Sequence, residues 1–509
     1  MQKGNITNTG KGIYKEAVNY DELVEVGTKT RAYHLWEFSK ELSLTGLSRE
    51  GFLLFFNEHG FFKKIATDGS IVFTKVTGNI VKYVYPKDIL EYTKAYIWSI
   101  DKPIELHSSK DKTEVKRIGI RQLRNTFLKQ YTLIINELFL STLESDNRKI
   151  LKDDKENAYL PFKNVVVNVT KKGFEIKDYT QYKDTLILES QIINREFTLQ
   201  SNWKESPFVK FIINIANNQT DRKNAIRSVF GYLLHGYNNP ANAQAVLLYD
   251  ETLADIYTPS GGTGKGLIRQ ALENIKAETA YLNGKGLKLD SQFLFQTVKD
   301  GTPIVFIDDV SKTFNIDVLN SILTEGLIVE KKFKSPFHIL KEDMPKFVIA
   351  SNIILASAGT TRARRQFVIE LSDYYSTKIK EGVEQPIVAE HGTTFFKEEW
   401  NSFEWNGFYT FIIKCIQYYL ANGLQKPLKL NMHINQLLQR FGKPLYDYFE
   451  TLNPEIGKEY DMKDMLGNLK AEGIVDENYG QRILSDNFKA YLSSKSLRYT
   501  FKKSKAIIA

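Results

Sequence analysis

Four apolar runs in the second half of the chain punctuate an otherwise mixed pattern. They are AVLLY at 245–249, PIVFIDDV at 303–310, KFVIASN at 346–352 and QFVIEL at 366–371. Near-continuous hydrophobicity over so few residues is what a strand buried on both faces needs. The intervening segments are long enough for helical crossovers, so the pattern predicts successive strands of one α/β sheet. Upstream, Tyr33–Leu44 reads as a helix, IVFTKV and NIVKYVY alternate as strands, and Pro86 opens a helix through Trp98. Residues Gln122–Leu151 carry a helical pattern that ends in the charged run KDDKEN, a solvated loop. Next, AYLPFKNVVVNVTKKGFEI reads as a strand, a turn at Lys172–Gly173 and a second strand, and Ser206–Tyr237 returns to helix. Beyond the apolar runs, FYTFIIKCIQYYL is a core helix. PLYDYFETL, MKDMLGNLKAEG and LRYTFKKSKAII then suggest short helices and a terminal hairpin.

Composition narrows the class of protein. With 42% hydrophobic and 25% charged residues, the 509-residue chain reads as several globular domains. A net charge of +9 makes a polyanionic partner plausible, and the 27 Tyr and 32 Phe serve equally as core or as stacking surfaces for bases. The single cysteine, Cys415, excludes intramolecular disulfides and a cysteine-rich zinc site. The polar start, MQKGNITNTGKG, and the lack of a membrane-length apolar run lead us to expect a cytoplasmic protein without a membrane partner.

The chemistry concentrates at TPSGGTGKGLIRQ, residues 258–270. Gly261, Gly262 and Gly264 let the backbone curl so that N–H groups converge on one anion, with Thr263 inside the turn. Lys265 then opens a helix whose positive end adds to the attraction. Pro259 stands where a phosphate loop has its first glycine, and Gly266 stands where the magnesium-contacting hydroxyl belongs. The run VFIDDV ends in Asp308–Asp309, two acids that can divide magnesium binding and water activation. KFVIASN ends at Asn352, which can orient a water against a γ-phosphate. A basic cluster, Arg362, Arg364 and Arg365, precedes QFVIEL. Each piece alone also has a bland reading, as a glycine turn, an acidic turn or a solvated basic turn; the ordered set favours an NTPase.

In that order, PSGGTGKG, VFIDDV, VEKKFKSPF, VIASN and RRQFVIEL resemble a superfamily 3 helicase, the AAA+ class of small DNA viruses, phages and mobile elements. YLPFKNVVVNV further resembles the region before the motor in poxvirus-type and phage primase-helicases. The resemblance implies ATP and Mg2+ as cofactors, with Lys265 on the β- and γ-phosphates. Asp308 and Asp309 would serve magnesium and the catalytic water, with Asn352 as γ-phosphate sensor. Arg365, with Arg364 as its nearest rival, would be an arginine finger acting on a neighbouring subunit, which implies a homo-oligomeric ring, usually a hexamer. Lys331, Lys332, Phe333 and Lys334 match a channel hairpin that grips single-stranded DNA.

The expected layout follows. It comprises a polar lead (1–12), a small α+β accessory domain (13–110) and a helical collar region with a short hairpin (111–240). An α/β AAA+ P-loop motor with a central parallel sheet (241–385), a helical connector (386–442) and a winged-helix-like module (443–509) complete it. Basic residues from Arg482 to Lys505, opposed locally only by Asp486, favour phosphate contacts with fork or origin DNA by the last module. The aromatic first module, which lacks paired catalytic acids, suits docking to replication proteins. The function expected is an ATP-dependent replicative helicase; the alternative is a nucleotide-stabilised initiator or scaffold with little turnover. A primase-helicase would need an acidic metal site in the first module, where no convincing pair occurs.

Overall fold

The computed structural model describes residues 34–66, 69–107, 115–252, 262–287, 291–311, 314–332, 336–355, 364–428, 431–502 and 505–508. The architecture is mixed α/β, with an N-terminal region of strands and helices and a C-terminal helical module. Contacts divide the chain into two units, one running to Leu151 and taking in Thr180–Glu189, the other comprising Lys152–Tyr179 and Ser190 onward.

The first unit opens with a hairpin, β1 (Trp36–Phe38) and β2 (Leu44–Leu47). Two strands therefore stand where a helix was expected over Tyr33–Leu44. Trp36 and Phe38 turn inward and Glu37 outward, a period of two, and Leu42 at φ 54° makes a left-handed turn that a helix cannot pass. Helix α1 (Arg49–Glu58) begins after Ser48, whose hydroxyl accepts the Gly51 N–H at 3.0 Å. Strands β3 (Phe61–Ile65), β4 (Ile71–Thr77) and β5 (Ile80–Val84) follow as an antiparallel meander, and α2 (Pro86–Ser99) starts on its proline. Strands β6 (Ile104–His107) and β7 (Val115–Ile118) pair antiparallel.

Helix α3 (Ile120–Gln130) is shorter than the pattern over Gln122–Leu151 suggested. A 3₁₀ turn at Tyr131–Leu133 interrupts it, and Asn136 starts a separate short helix, α4 (Glu137–Leu140), by accepting the Phe139 N–H at 2.9 Å. Strand β8 (Lys149–Ile150) then joins the meander through β12 (Thr185–Leu188).

The second unit begins with a three-stranded antiparallel sheet, β9 (Asn157–Pro161), β10 (Val166–Thr170) and β11 (Gly173–Lys177). The first strand of the sequence reading is thus two strands joined by a turn. KDDKEN is a loop, yet an anchored one: Asp153 accepts the Tyr159 and Gly236 N–H groups at 2.8 and 2.6 Å. Helices α5 (Pro207–Ile215) and α6 (Thr220–Leu234) lead into the central sheet.

That sheet is parallel throughout, in the order β14-β15-β18-β13-β19. Its strands are β13 (Ala245–Asp250), β14 (Ala280–Asn283), β15 (Ile304–Asp308), β18 (Lys346–Ala350) and β19 (Gln366–Leu371). Alternate residues divide between two cores. Val246, Leu248, Phe306 and Val348 face α5, α6 and the long helix Ser402–Asn422, while Leu247, Tyr249, Val305 and Ile349 face helix α8 (Ile316–Glu325). The long helix packs so closely on α6 that a Cβ at Gly231 would lie 2.3 Å from the Cys415 carbonyl oxygen. Among the described residues no helix is long and apolar enough to cross a membrane.

Lys346, the first residue of β18, ties α6 to the amino end of the sheet. Its ammonium is fully buried and donates to the Tyr232 and His235 carbonyls at 2.5 and 2.6 Å. Burial pushes its pKa down from 10.5 to about 7. The folded state therefore binds fewer protons than the unfolded chain between those values, and stability rises with pH across that window. Denaturant titrations from pH 7 to 10 are expected to show this rise in the parent protein, and Lys346→Met is expected to flatten it by up to one proton's worth of slope. An unchanged slope in the variant would assign the effect elsewhere.

Candidate functional site

Parallel strands put their carboxyl ends on one edge, and that edge gathers the polar residues singled out in the sequence. Asp250 ends β13, Asp308 ends β15, and Asn352 lies two residues beyond β18, the strand between them. Above this edge the chain turns into helix α7 (Lys265–Ile275).

Gly264 forms the entry to α7 at φ 104°, a backbone conformation that favours glycine, and a Cβ there would press 2.7 Å from the Phe211 ring. This places Lys265 at the first position of the helix, where unpaired N–H groups and the helix dipole attract anions. Its ammonium donates to Asn352 Oδ1 and to Asp250 Oδ1, both at 2.6 Å. Thr263 donates its hydroxyl to the same Asp250 oxygen at 2.5 Å. Lysine carries three N–H donors, so these partners leave one for a phosphate oxygen. Asp250 was not foreseen in the sequence, because it precedes the lysine by fifteen positions with no spacing that marks it. Thr263, counted as a loop residue, has its hydroxyl engaged with Asp250. Gly266 occupies open space, with nothing within 4 Å of an added Cβ. Gly261 and Pro259 lie outside the described residues.

Asp309 adopts φ 54°, a turn that ends β15 sharply, and the Asp308 carbonyl accepts the Gly284 N–H at 2.5 Å. The strand order sets Asp308 roughly 5 Å from the β18 line that leads to Asn352. Among the described residues no group of three or more His, Cys, Asp or Glu side chains is assembled to hold a metal. Two adjacent carboxylates suit a magnesium ion that takes its remaining ligands from phosphates and water.

The structure does not bring Arg365 to this edge. Gln366 pairs with Ala245 and Leu371 with Asp250, so Arg365 lies at the amino end of β19, on the order of 17–20 Å from the lysine's edge. Its guanidinium donates to the Leu323 carbonyl at 3.4 Å, and the Arg364 carbonyl accepts from Gln244 Nε2 at 2.6 Å. Arg362 lies outside the described residues. Lys331 and Lys332 follow β16 (Leu327–Val329), which pairs antiparallel with β17 (Phe337–Ile339). Lys331 stands 5.1 Å from the Phe337 ring centre; Phe333 and Lys334 lie outside the described residues.

The C-terminal module comprises helices Lys443–Leu452, Met462–Ala471 and Gln481–Ser494. Beside them lies the antiparallel sheet of β20 (Glu459–Asp461), β22 (Lys505–Ile508) and β21 (Tyr499–Lys502). Its basic tail is more neutralised than the local sequence indicated. Lys489 pairs with Asp486, but Glu450 and Glu459, from earlier in the chain, hold Lys495 and Lys505.

Helix Met432–Phe441 binds this module to the candidate edge. Asn435 Nδ2 donates to the Glu251 carbonyl at 3.0 Å, next to Asp250, and Gln439 exchanges two hydrogen bonds with the Ile354 backbone, two residues past Asn352. At its entrance the Asn431 N–H donates to Glu370 at 2.7 Å. Burial pushes the Glu370 carboxyl up to about 7, against the pull of that N–H and of Arg222, which pairs with Glu251 at 2.7 Å. On the helix's other side, Arg440 Nε donates to Asn487 Oδ1 at 2.8 Å, and Leu437 joins the C-terminal core.

No family model matches the chain, and no curated protein matches it. Among solved structures, the apo C-terminal region of NrS-1 is similar over 78% of this chain and 82% of that one, at 13% identity with a TM-score of 0.32. A second apo structure of that region gives 12% identity, 78% and 81% coverage, and a TM-score of 0.33. The JCV helicase, solved with a thiazolopyridine-containing acetamide bound, is similar over 36% of this chain and 52% of that one, at 14% identity with a TM-score of 0.23.

Gly264 at the entry to α7 and Gly266 at its second position should respond differently to substitution. Gly266→Thr is expected to keep stability within about 0.5 kcal/mol of the parent. Gly264→Ala, strained in φ and pressed on Phe211, is expected to lose roughly 1–3 kcal/mol. Calorimetric melting of both variants distinguishes them; equal losses would contradict the loop geometry.

Proposed function

We propose that this chain is the ATPase of a DNA helicase of the superfamily 3 AAA+ class, from a phage, virus or mobile element. In this reading it works as a homo-oligomeric ring, usually a hexamer, on single-stranded DNA at a replication fork or origin. The observation that carries the reading is the meeting of Lys265, at the first position of a helix, with Asn352 beyond the neighbouring strand, on the carboxyl edge that also carries Asp308.

The residues divide the work as follows. The backbone N–H groups of residues 262–266 and the third N–H of Lys265 bind the phosphate chain. Asp308 and Asp309 would hold the metal and take up the proton of the attacking water, while Asn352 would orient that water. Magnesium, when bound there, would supply neutralisation of phosphate charge. Arg365 cannot reach the lysine of its own chain from the opposite end of β19, which supports action on a neighbouring subunit. Lys331 and Lys332 after β16, with Phe333 and Lys334 next in the sequence, grip phosphates without reading sequence. The C-terminal module serves as the winged-helix-like duplex contact, through Arg482 and Arg498 rather than through the lysines already paired with acids.

A second reading is favoured by one specific feature. Asp250 already neutralises Lys265, and Gly266 supplies no hydroxyl for a metal, as in a protein that binds nucleotide to hold its ring together with little turnover.

ATP hydrolysis with and without single-stranded DNA separates the readings. The motor predicts DNA-stimulated turnover that falls at least about 100-fold in Lys265→Ala, Asp309→Asn and Arg365→Ala. Mixing Lys265→Ala with Arg365→Ala subunits is expected to restore partial activity, because some interfaces then hold one intact site. Tight nucleotide binding without turnover in the parent protein would select the initiator or scaffold.

A further inference from the structure

We infer that Ile379 is the apolar platform for the base of the bound nucleotide, an assignment that rests on the nucleotide-site reading above. Along the carboxyl edge the order is Asp308 on β15, Asn352 after β18, Asp250 on β13, and then β19. The acids and Asn352 serve the terminal phosphate, so the phosphate chain points toward β15 and the nucleoside end toward β19. Three strand spacings separate β15 from β19, about 14 Å, the scale of a nucleoside triphosphate laid along the edge.

On the β19 side the chain turns at Ser372 into the helix Tyr374–Lys380. Tyr375 and Ser376 of that helix are buried, whereas Ile379 is 44% exposed. Its position is nevertheless fixed at the loop: a Cβ on Gly262 would lie 2.4 Å from Ile379 Cδ1. Of the two lysines that flank it, Lys378 pairs with Glu390 at 3.0 Å and Lys380 is exposed to solvent. Helix α5 closes the same corner, because the Ser372 N–H donates to the Ile215 carbonyl at 2.9 Å and Gly264 rests against Phe211 and Ile215. An exposed branched aliphatic group thus stands beside an anion cradle, at the end where charge is no longer wanted. The flat, weakly polar face of a purine fits such a surface. Ile379 acts in binding, as a specificity-determining residue, and takes no part in bond breaking.

Equilibrium binding of ATP and, separately, of inorganic tripolyphosphate to the full chain tests this. Ile379→Ala is expected to weaken ATP about tenfold and to leave tripolyphosphate unchanged, with Ile379→Leu restoring most of the ATP affinity. Unchanged ATP binding in Ile379→Ala, with both ligands lost in Lys265→Ala, overturns the platform and leaves the phosphate site standing. Equal loss of both ligands in Ile379→Ala also overturns it, because the side chain then only shapes the loop at Gly262. Retention of both ligands by Lys265→Ala would instead sink the nucleotide-site reading beneath it.

Discussion

A parallel sheet buried on both faces admits almost no polar chemistry along its length, and this constraint organises the second unit. Every strand must be re-entered by a crossover, so the helices are committed to covering the faces. Charged side chains gather at the two edges, and each edge has a lysine, buried at one and half-buried at the other. Lys346 at the amino edge is satisfied by two main-chain carbonyls that end α6. Lys265 at the carboxyl edge is held by the side chains of Asp250 and Asn352. The first arrangement closes the helix onto the sheet. The second keeps a cation ready at a helix start, where the field already favours an anion.

The central strands were legible because burial on both faces writes itself into the sequence as VLLY, IVFI, FVIA and FVIEL. Weaker patterns misled for physical reasons. Trp36 and Phe38 are apolar positions two apart within a stretch also rich in helix formers, and the left-handed turn at Leu42 was invisible to periodicity. The helical register after Gln122 broke at the 3₁₀ turn Tyr131–Leu133, and Asn136 then capped a separate short helix. Of the site, Lys265 and Asn352 were found from sequence and meet in space. Asp250 was missed, since a carboxylate at a strand end carries no motif until the loop folds back over it.

Charge was the least legible property. A window over the last thirty residues counts cations against one local acid, but folding brings Glu450 and Glu459 to Lys495 and Lys505. Local counts overestimate the field of a module whose counter-charges come from elsewhere in the chain. The exposed arginines 482 and 498 are left as its more available cations.

Helix Met432–Phe441 belongs to two cores at once. Its polar side chains complete the backbone around Glu251 and Ile354, while Leu437 fills the C-terminal cluster and Arg440 reaches Asn487. The boundary between the parallel-sheet body and the C-terminal module therefore does not exist as a peptide bond. A cut before Met432 strips the strand ends of their hydrogen-bond partners, and a cut after Phe441 leaves an apolar side chain and a guanidinium without their surroundings. Evolutionary exchange of the last module for another would have to carry this helix with it, together with the residues of the helix that fit the sheet edge.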